Sequence, residues 1–567
     1  MRFKFLIYFF TFFFFFQASI ANAASIGQMQ DFFTDAVFAD KERTDIKATL
    51  RFEGEHAYYY IDNEYFDSLR GEEAFKILTS LKKISLEYDL KIYPTLTKEI
   101  GQIREPGLDN DNKIYILFLK LKEGNGGYMN TADLFLKSQT KDVPTNEKEM
   151  IYLNADLINS DDINAILSHE LQHLISAYFK EIQKNIADDI WLNEMRSEYA
   201  VDVLGYNNPY KGSFLESRSL IFEKNPEDSI VGWRNNQIDY AVVSILGYYL
   251  VENFGKDIFK ETLKSDKIGI DSINDALKNL GFSVSFADIF KKWQIANYLN
   301  DENLFGKGYG YLNPSLNFKI KPSIFHEVFE GDIKEFNYIV DDWQLSFLEY
   351  YGNVGKINIE FEGKDNSVFD VSYILNRRDK SSLFGSIKLE NNRGYFSIDD
   401  LGGDISSIVL LPFSKTRLSD FAKNDIKRNF VVRVSTGIEQ IKNVIISIVD
   451  EQTFKEGLLI RPVWDFKVYS VNKSGYIRHI INQKILSFYK FSDIAVVDRD
   501  DFNFYKESSL VRAENDYKIY YIDSFGVKHW LEMTAEKFLM SGRKFDSVFQ
   551  ISKNELELYK NGNNIID

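Results

Sequence analysis

Cysteine is absent from all 567 residues. That excludes disulfides, thiolate zinc sites, iron–sulfur clusters and a cysteine nucleophile together. Histidine is scarce at 6, so any metal centre must be assembled from a few imidazoles and carboxylates. Proline is held to 9, which removes few backbone donors and leaves room for long helices and paired strands. Basic charge is outweighed. Lys+Arg 68 against Asp+Glu 84 leaves a formal net charge of −16, a poor surface for nucleic acid or anionic lipid. Beyond Phe16 no apolar run is long enough to cross a bilayer. Aromatic side chains are plentiful, with 48 Phe and 33 Tyr. With 44% hydrophobic and 27% charged residues, the chain can build large cores and is not broadly disordered.

The first residues read as a secretory signal, residues 1–23. Arg2 and Lys4 form a basic start, Phe5 to Phe16 is apolar apart from Tyr8 and Thr11, and Ala21-Asn22-Ala23 supplies small residues for cleavage. The apolar run is shorter than the ~20 residues of a bilayer span, so no transmembrane anchor is expected. The expectation is a secreted or extracellular protein, with attachment to a cell surface left open.

Four segments follow, giving a multidomain α+β chain. Residues 24–160 are strand-rich: His56-Ala57-Tyr58-Tyr59-Tyr60-Ile61 and Lys113 to Leu119 read as strands, with helical periodicity from Gly71 to Tyr88. Residues 161–324 turn helical, and Gly205, Gly255 and Gly281 stand where helix C-caps belong. Residues 325–454 alternate as a β-sandwich does, for example Lys356-Ile357-Asn358-Ile359-Glu360-Phe361. Residues 455–567 carry a duplication. Lys467-Val468-Tyr469 recurs as Lys518-Ile519-Tyr520 and Arg478-His479-Ile480 as Lys528-His529-Trp530, with Asp493 matching Asp546 and Tyr505 matching Tyr559. Two copies of a small α+β module are predicted, and their histidines are expected in equivalent structural positions.

The chemistry is concentrated at His169-Glu170-Leu171-Gln172-His173, an HExxH motif within a helical pattern from about Asp161 to Glu181. Residues four apart share a helix face, so His169 and His173 can reach one ion with Glu170 beside them. A second apolar-periodic helix begins at Trp191-Leu192-Asn193-Glu194 and ends at Gly205. Packed antiparallel on the first, it sets Glu194 opposite the histidines. The His₂Glu set leaves a fourth position to water, as a catalytic Zn²⁺ requires. Glu198, one turn further, can accept the outer N–H of a ligating histidine.

With these residues in view, the chain resembles the gluzincin metallopeptidases, the thermolysin-like group with HExxH and a downstream Glu. More narrowly it is similar to the hyicolysin family of secreted neutral metallopeptidases. The resemblance rests on Ser168 to Ile175 and Trp191-Leu192-Asn193-Glu194. Upstream it includes Ile92-Tyr93-Pro94, Pro106 to Asp111, Gly126-Gly127-Tyr128 and Glu149 to Asn154. It covers about residues 44–300. It implies a two-lobed zincin unit, a β-rich lobe plus a helical lobe, with Zn²⁺ on His169, His173 and Glu194 and with Glu170 as general base. It implies a tyrosine to stabilise the oxyanion, Tyr240 at the start of the helix running to Phe254, with Tyr206 and Tyr210 as rivals. It also implies a substrate-pairing edge strand at Gly127-Tyr128.

The expected function is therefore a secreted zinc endopeptidase acting on protein or peptide substrates. The sandwich and the repeat module would be appendages, the repeats binding a cell-surface or polymer ligand. The alternatives are a zinc aminopeptidase of the same clan, or a surface adhesin with a vestigial peptidase domain.

Overall fold

The computed structural model describes residues 25–566 except 142, 302–303, 305–307, 365–366, 417–426, 437–456, 463–466, 490–493, 498–501, 503–504 and 524. The expected signal segment, Asp493 of the repeat and the boundary at 454 lie outside the described residues. The chain divides into two compact units, Met1–Ile438 and Glu439–Asp567.

The first unit opens with a six-stranded mixed sheet. Its strands are β1 (Met29–Phe33), β2 (Asp45–Glu53), β3 (Ala57–Asp62), β4 (Ile114–Leu119), β5 (Gly127–Tyr128) and β6 (Met150–Asn154), in the order β1-β2-β3-β4-β6-β5. β3, β4 and β6 run parallel and are buried along their whole length. Unbroken apolar runs are what parallel strands covered on both faces require. β5 pairs antiparallel with β6 at one edge.

The two faces of this sheet support different cores. Tyr58, Tyr60, Leu117, Tyr128 and Tyr152 point to the side closed by Phe32 and Leu50. Tyr59, Ile61, Ile116, Phe118, Ile151 and Leu153 point to the side covered by helices. Those helices are α1 (Asn63–Asp67), α2 (Gly71–Glu87), α3 (Tyr93–Glu99) and α4 (Ile163–Ala177). α4 carries HExxH and puts Leu167, Leu171, Leu174 and Ile175 into the core of the sheet. The boundary drawn at 160/161 from the change of pattern thus differs from the packing: α4 belongs with the sheet. Helical period marks an element, not the core it joins.

Six more helices follow: α5 (Ile190–Val203), α6 (Phe214–Lys224), α7 (Gln237–Phe254), α8 (Asp257–Lys264), α9 (Gly269–Asn279) and α10 (Phe286–Leu299). Gly255, with φ 84°, ends α7 and Gly281, with φ 86°, follows α9, a conformation costly for any residue with a Cβ. α5 spans two cores. Ala200 and Leu204 reach the sheet core, while Trp191, Leu192 and Met195 join the core of the later helices.

The β-segment forms a sandwich. One sheet pairs β12 (Ser382–Ile387), β11 (Phe369–Arg377), β14 (Ile405–Ser414), β9 (Leu348–Gly352) and β7 (Ile324–Val328); the other pairs β13 (Arg393–Leu401), β10 (Gly355–Gly363), β15 (Arg428–Thr436) and β8 (Ile333–Val340). They are joined where Leu401 meets Ile405. β14 is buried on both faces: Ile408 and Leu410 fill the sandwich, whereas Val409, Leu411 and Phe413 enter the helical core with Phe290, Trp293 and Trp343. The Phe290 and Phe413 ring centroids are 4.8 Å apart. The sandwich is therefore no tethered appendage, as the strand pattern suggested, because it supplies one wall of the helical core.

The second unit holds two five-stranded sheets of identical topology. In each, a central antiparallel trio is flanked by parallel strands, Leu459–Pro462 with Ile494–Val497 in one and Leu510–Ala513 with Val548–Ile551 in the other. The pairing corrects one sequence match. Tyr469 faces His479 in the first copy and Tyr520 faces Trp530 in the second. His479 thus corresponds to Trp530, and Arg478 to His529. The hairpin glycines Gly475 and Gly526, φ 78° and 74°, agree with that register. A one-residue slip moves a side chain to the other face, so the two histidines are not equivalent.

Candidate active site

His169 and His173 lie one turn apart on α4, and α5 crosses that turn with Glu194. The imidazole centroids are 4.8 Å apart with planes at 79°. Glu194 Oε2 is 3.1 Å from His169 Nε2 and 3.5 Å from His173 Nε2. All three atoms lie within 4.8 Å of one another, the one such group among the described residues. Ligands at ~2.0–2.1 Å on a tetrahedral Zn²⁺ sit about 3.3 Å apart, so the two measured separations bracket what such an ion needs.

The outer ring nitrogen of His173 fixes its tautomer. The Ser197 hydroxyl donates to Gln172 Oε1 at 2.6 Å, and the Gln172 amide donates to Ser176 at 2.9 Å. The Ser197 oxygen, 3.1 Å from His173 Nδ1, is thus left to accept the ring N–H. His173 Nε2 then keeps its lone pair for a cation. His169 Nδ1 faces Glu198 Oε1 at 3.7 Å. Glu198 lies behind His169, and its carboxylate is held by Arg218 at 2.9 and 3.0 Å.

The carboxyl groups are tuned apart. Burial raises Glu170 to about 8, the neighbouring His173 opposing this and the Glu194 charge adding to it. Burial would raise Glu194 too, but the His173 and His169 rings outweigh it and hold its carboxyl far below the usual range. The two carboxyls are thus pushed in opposite directions by the same surroundings.

Tyr240 stands on the first turn of α7 with its ring centroid 6.4 Å from that of His169. Its hydroxyl donates to Asn235 Oδ1 at 3.2 Å, and Trp233 packs edge-on at 5.0 Å. The rivals are placed elsewhere. Tyr206 donates to Glu87 on α2, and Tyr210 lines a cavity with Glu216, Ser219 and Phe318.

At the sheet edge, Gly127 turns towards Glu170. A Cβ built there would stand 3.0 Å from Glu170 Cγ and 2.9 Å from the Tyr152 carbonyl oxygen. Tyr128 points the other way, stacked on Tyr152 at 4.3 Å, with its hydroxyl accepting from Asp35 N–H. Of the expected pair, Gly127 borders the site with its backbone, whereas the Tyr128 side chain belongs to the opposite core. Period-two alternation dictates that split.

Sequence reasoning missed Ser197, Gln172 and Arg218. Ser197 and Gln172 carried a usable signal, since Ser197 falls three residues after Glu194 on the same helix face. Arg218 carried none, because it arrives from another helix.

No protein-family model matches the chain, and no curated protein matches it. Among solved structures it is similar to a metallopeptidase from Bacteroides thetaiotaomicron, 11% identical, over 65% of this chain and 66% of that one, with a TM-score of 0.25. It is similar to the ZmpB metallopeptidase from Clostridium perfringens, 13% identical, over 64% and 66%, with a TM-score of 0.25. The pre-peptidase C-terminal domain of a collagenase from Bacillus anthracis matches 20% of this chain and 98% of its own, at 9% identity and a TM-score of 0.15. The chain thus spans about two thirds of the length of the two metallopeptidases, and all three likenesses are distant.

Proposed function

We propose that the protein is an exported zinc endopeptidase of the gluzincin type, hyicolysin-like over about residues 44–300. The observation that carries this reading is the meeting of His169 Nε2, His173 Nε2 and Glu194 Oε2 beside a buried Glu170 at an open sheet edge. A zinc ion held by these three residues supplies Lewis acidity, lowering the pKa of a water towards ~7 and polarising a peptide carbonyl.

The residues of the chain do the remainder. β5 offers its outer edge to an extended substrate, with Gly127 letting the two backbones approach. Glu170 takes the proton from the attacking water and returns it to the leaving amine. The Tyr240 hydroxyl donates to the carbonyl oxygen as it gains negative charge. Ser197 keeps His173 in the ligating tautomer, and the Glu198 carboxylate, 3.7 Å from His169 Nδ1, is the group that would do the same for His169 on closer approach. An aminopeptidase would need a further carboxylate to hold the free amine. Glu194 lies between the two histidines and Glu198 is paired with Arg218, which supports the endopeptidase reading. The complete set of ligands and base speaks against a vestigial domain.

The test is a random peptide library incubated with the purified protein, with and without a zinc chelator, and mapped by mass spectrometry. Internal cuts that vanish with the chelator and return with Zn²⁺ are expected. Exclusive removal of N-terminal residues would move the assignment to an aminopeptidase, and no cleavage by zinc-loaded protein would end it.

A further inference from the structure

Arg218 sits on α6, outside the metal cluster, yet it touches both helices that face the cluster. The side chain is buried, and the residue is only 9% exposed. Its Nε and Nη2 donate to Glu198 Oε2 and Oε1 on α5 at 3.0 and 2.9 Å. Its Nη1 donates to Gln237 Oε1 in the first turn of α7. The guanidinium carbon is also 4.9 Å from the Tyr240 ring centroid. One planar cation thus serves a carboxylate with its edge and an aromatic ring with its face, which an ammonium cannot do.

Helix formation does not explain this arrangement. α7 has its own capping box from Asn236 and Asp239, and α6 is capped by Ser213. Stability alone does not account for it, since even a well-formed buried ion pair is often no better than well-packed apolar residues of similar volume. The contacts instead lead to the site. Glu198 lies 3.7 Å behind His169 Nδ1, and Tyr240 faces the same imidazole.

We propose that Arg218 is a positioning residue that orients Glu198 behind His169 and holds Tyr240 facing the metal ligands. The inference rests on the peptidase reading, in which Tyr240 meets the carbonyl oxygen. It goes beyond that reading in tying the metal side and the oxyanion side of the site to one guanidinium.

The test uses the full chain as wild type, Arg218→Lys, Arg218→Met, Tyr240→Phe and the Arg218→Met/Tyr240→Phe double variant. Zinc affinity is read by chelator competition, and kcat and KM on a short peptide at saturating zinc. Arg218→Met is expected to weaken zinc binding by roughly 10–100-fold, the usual loss when a ligand's partner is disturbed. It is expected to lower kcat by about tenfold or more with KM nearly unchanged, as for an interaction made in the transition state. In the Tyr240→Phe background the same substitution should cost kcat no more than about twofold, because coupled residues are not additive. Arg218→Lys keeps the charge but loses the fork, so it should behave like Arg218→Met, and it carries the test if the methionine variant fails to fold. Full additivity with Tyr240→Phe, wild-type zinc affinity in both Arg218 variants, or full rescue by lysine would overturn the proposal. Should zinc-loaded wild type cleave no peptide, the peptidase reading falls by itself. The zinc affinities then decide Arg218 separately, weakened binding keeping its role behind His169 and unchanged binding removing it.

Discussion

At the scale of single residues, Glu170 and Glu194 show how burial alone cannot assign a role. Both carboxyls are withdrawn from water, yet one is pushed up to about 8 and the other held low, because only Glu194 lies between two imidazoles. Glu170→Gln removes the proton carrier and leaves the ligand atoms in place. Zinc content should stay at the wild-type level while kcat falls by roughly 10²-fold or more; metal analysis beside a peptide assay checks both. Glu194 and Glu198 share a face of α5 but should separate on dialysis. Glu194→Ala deletes a ligand and should lose its zinc, whereas Glu198→Ala should retain a site weakened roughly 10–100-fold. Equal retention would show that the ligand set is wrong. These residues were legible because HExxH is local: a helix places positions four apart on one face without any knowledge of the fold. Arg218 was illegible for the opposite reason. Its partners sit on α5 and α7, and nothing in its own neighbourhood marks the meeting.

At the scale of elements, β5 is only two residues long, and its two side chains face different cores. Gly127 has no room for a methyl group against Glu170 and the Tyr152 carbonyl. Gly127→Ala should therefore displace either the edge strand or the base. A fall in kcat/KM of about tenfold is expected with little change in Tm, since misplacing a reacting group costs rate more than stability. The family resemblance pointed to an edge strand at Gly127-Tyr128 but could not tell which residue faced the helices. β14 presents a second case. Alternation marked it as a strand, and the structure shows that each face belongs to a different core. Phe413→Ala should then destabilise the whole first unit by about 3–5 kcal/mol. Thermal unfolding followed by far-UV dichroism and by zinc release should shift together. A zinc-release curve left at its wild-type position would separate the sandwich from the site.

At the scale of the whole molecule, the repeat module has the features of an independent folding unit. The two copies share a core in which Leu459, Ile480 and Ile485 of the first meet Val511, Phe549 and Leu556 of the second. Arg478 of the first copy is buried against Glu555 and Tyr559 of the second. A chain ending near residue 450 should keep kcat/KM on short peptides within about twofold of the full protein if the two units are uncoupled. It should lose any binding to a cell-envelope fraction measured by pull-down. Loss of short-peptide cleavage by a folded truncated chain would place the module within the active unit. The duplication itself was legible because strands and hairpin glycines recur in order. Its register was not, since Arg478-His479 and Lys528-His529 look alike by composition and only strand pairing separates them.

The double burial of β14 also bears on the order in which the protein is made. His169 and His173 leave the ribosome early, whereas Phe413, which closes the core that Trp191 and Met195 of α5 share, emerges much later. Until that strand arrives, the end of α5 that bears Glu194 has an incomplete bed. Domains generally fold as units during synthesis. On the proposed reading, an unfinished chain would therefore carry all three candidate zinc ligands before the bed that sets Glu194 is complete.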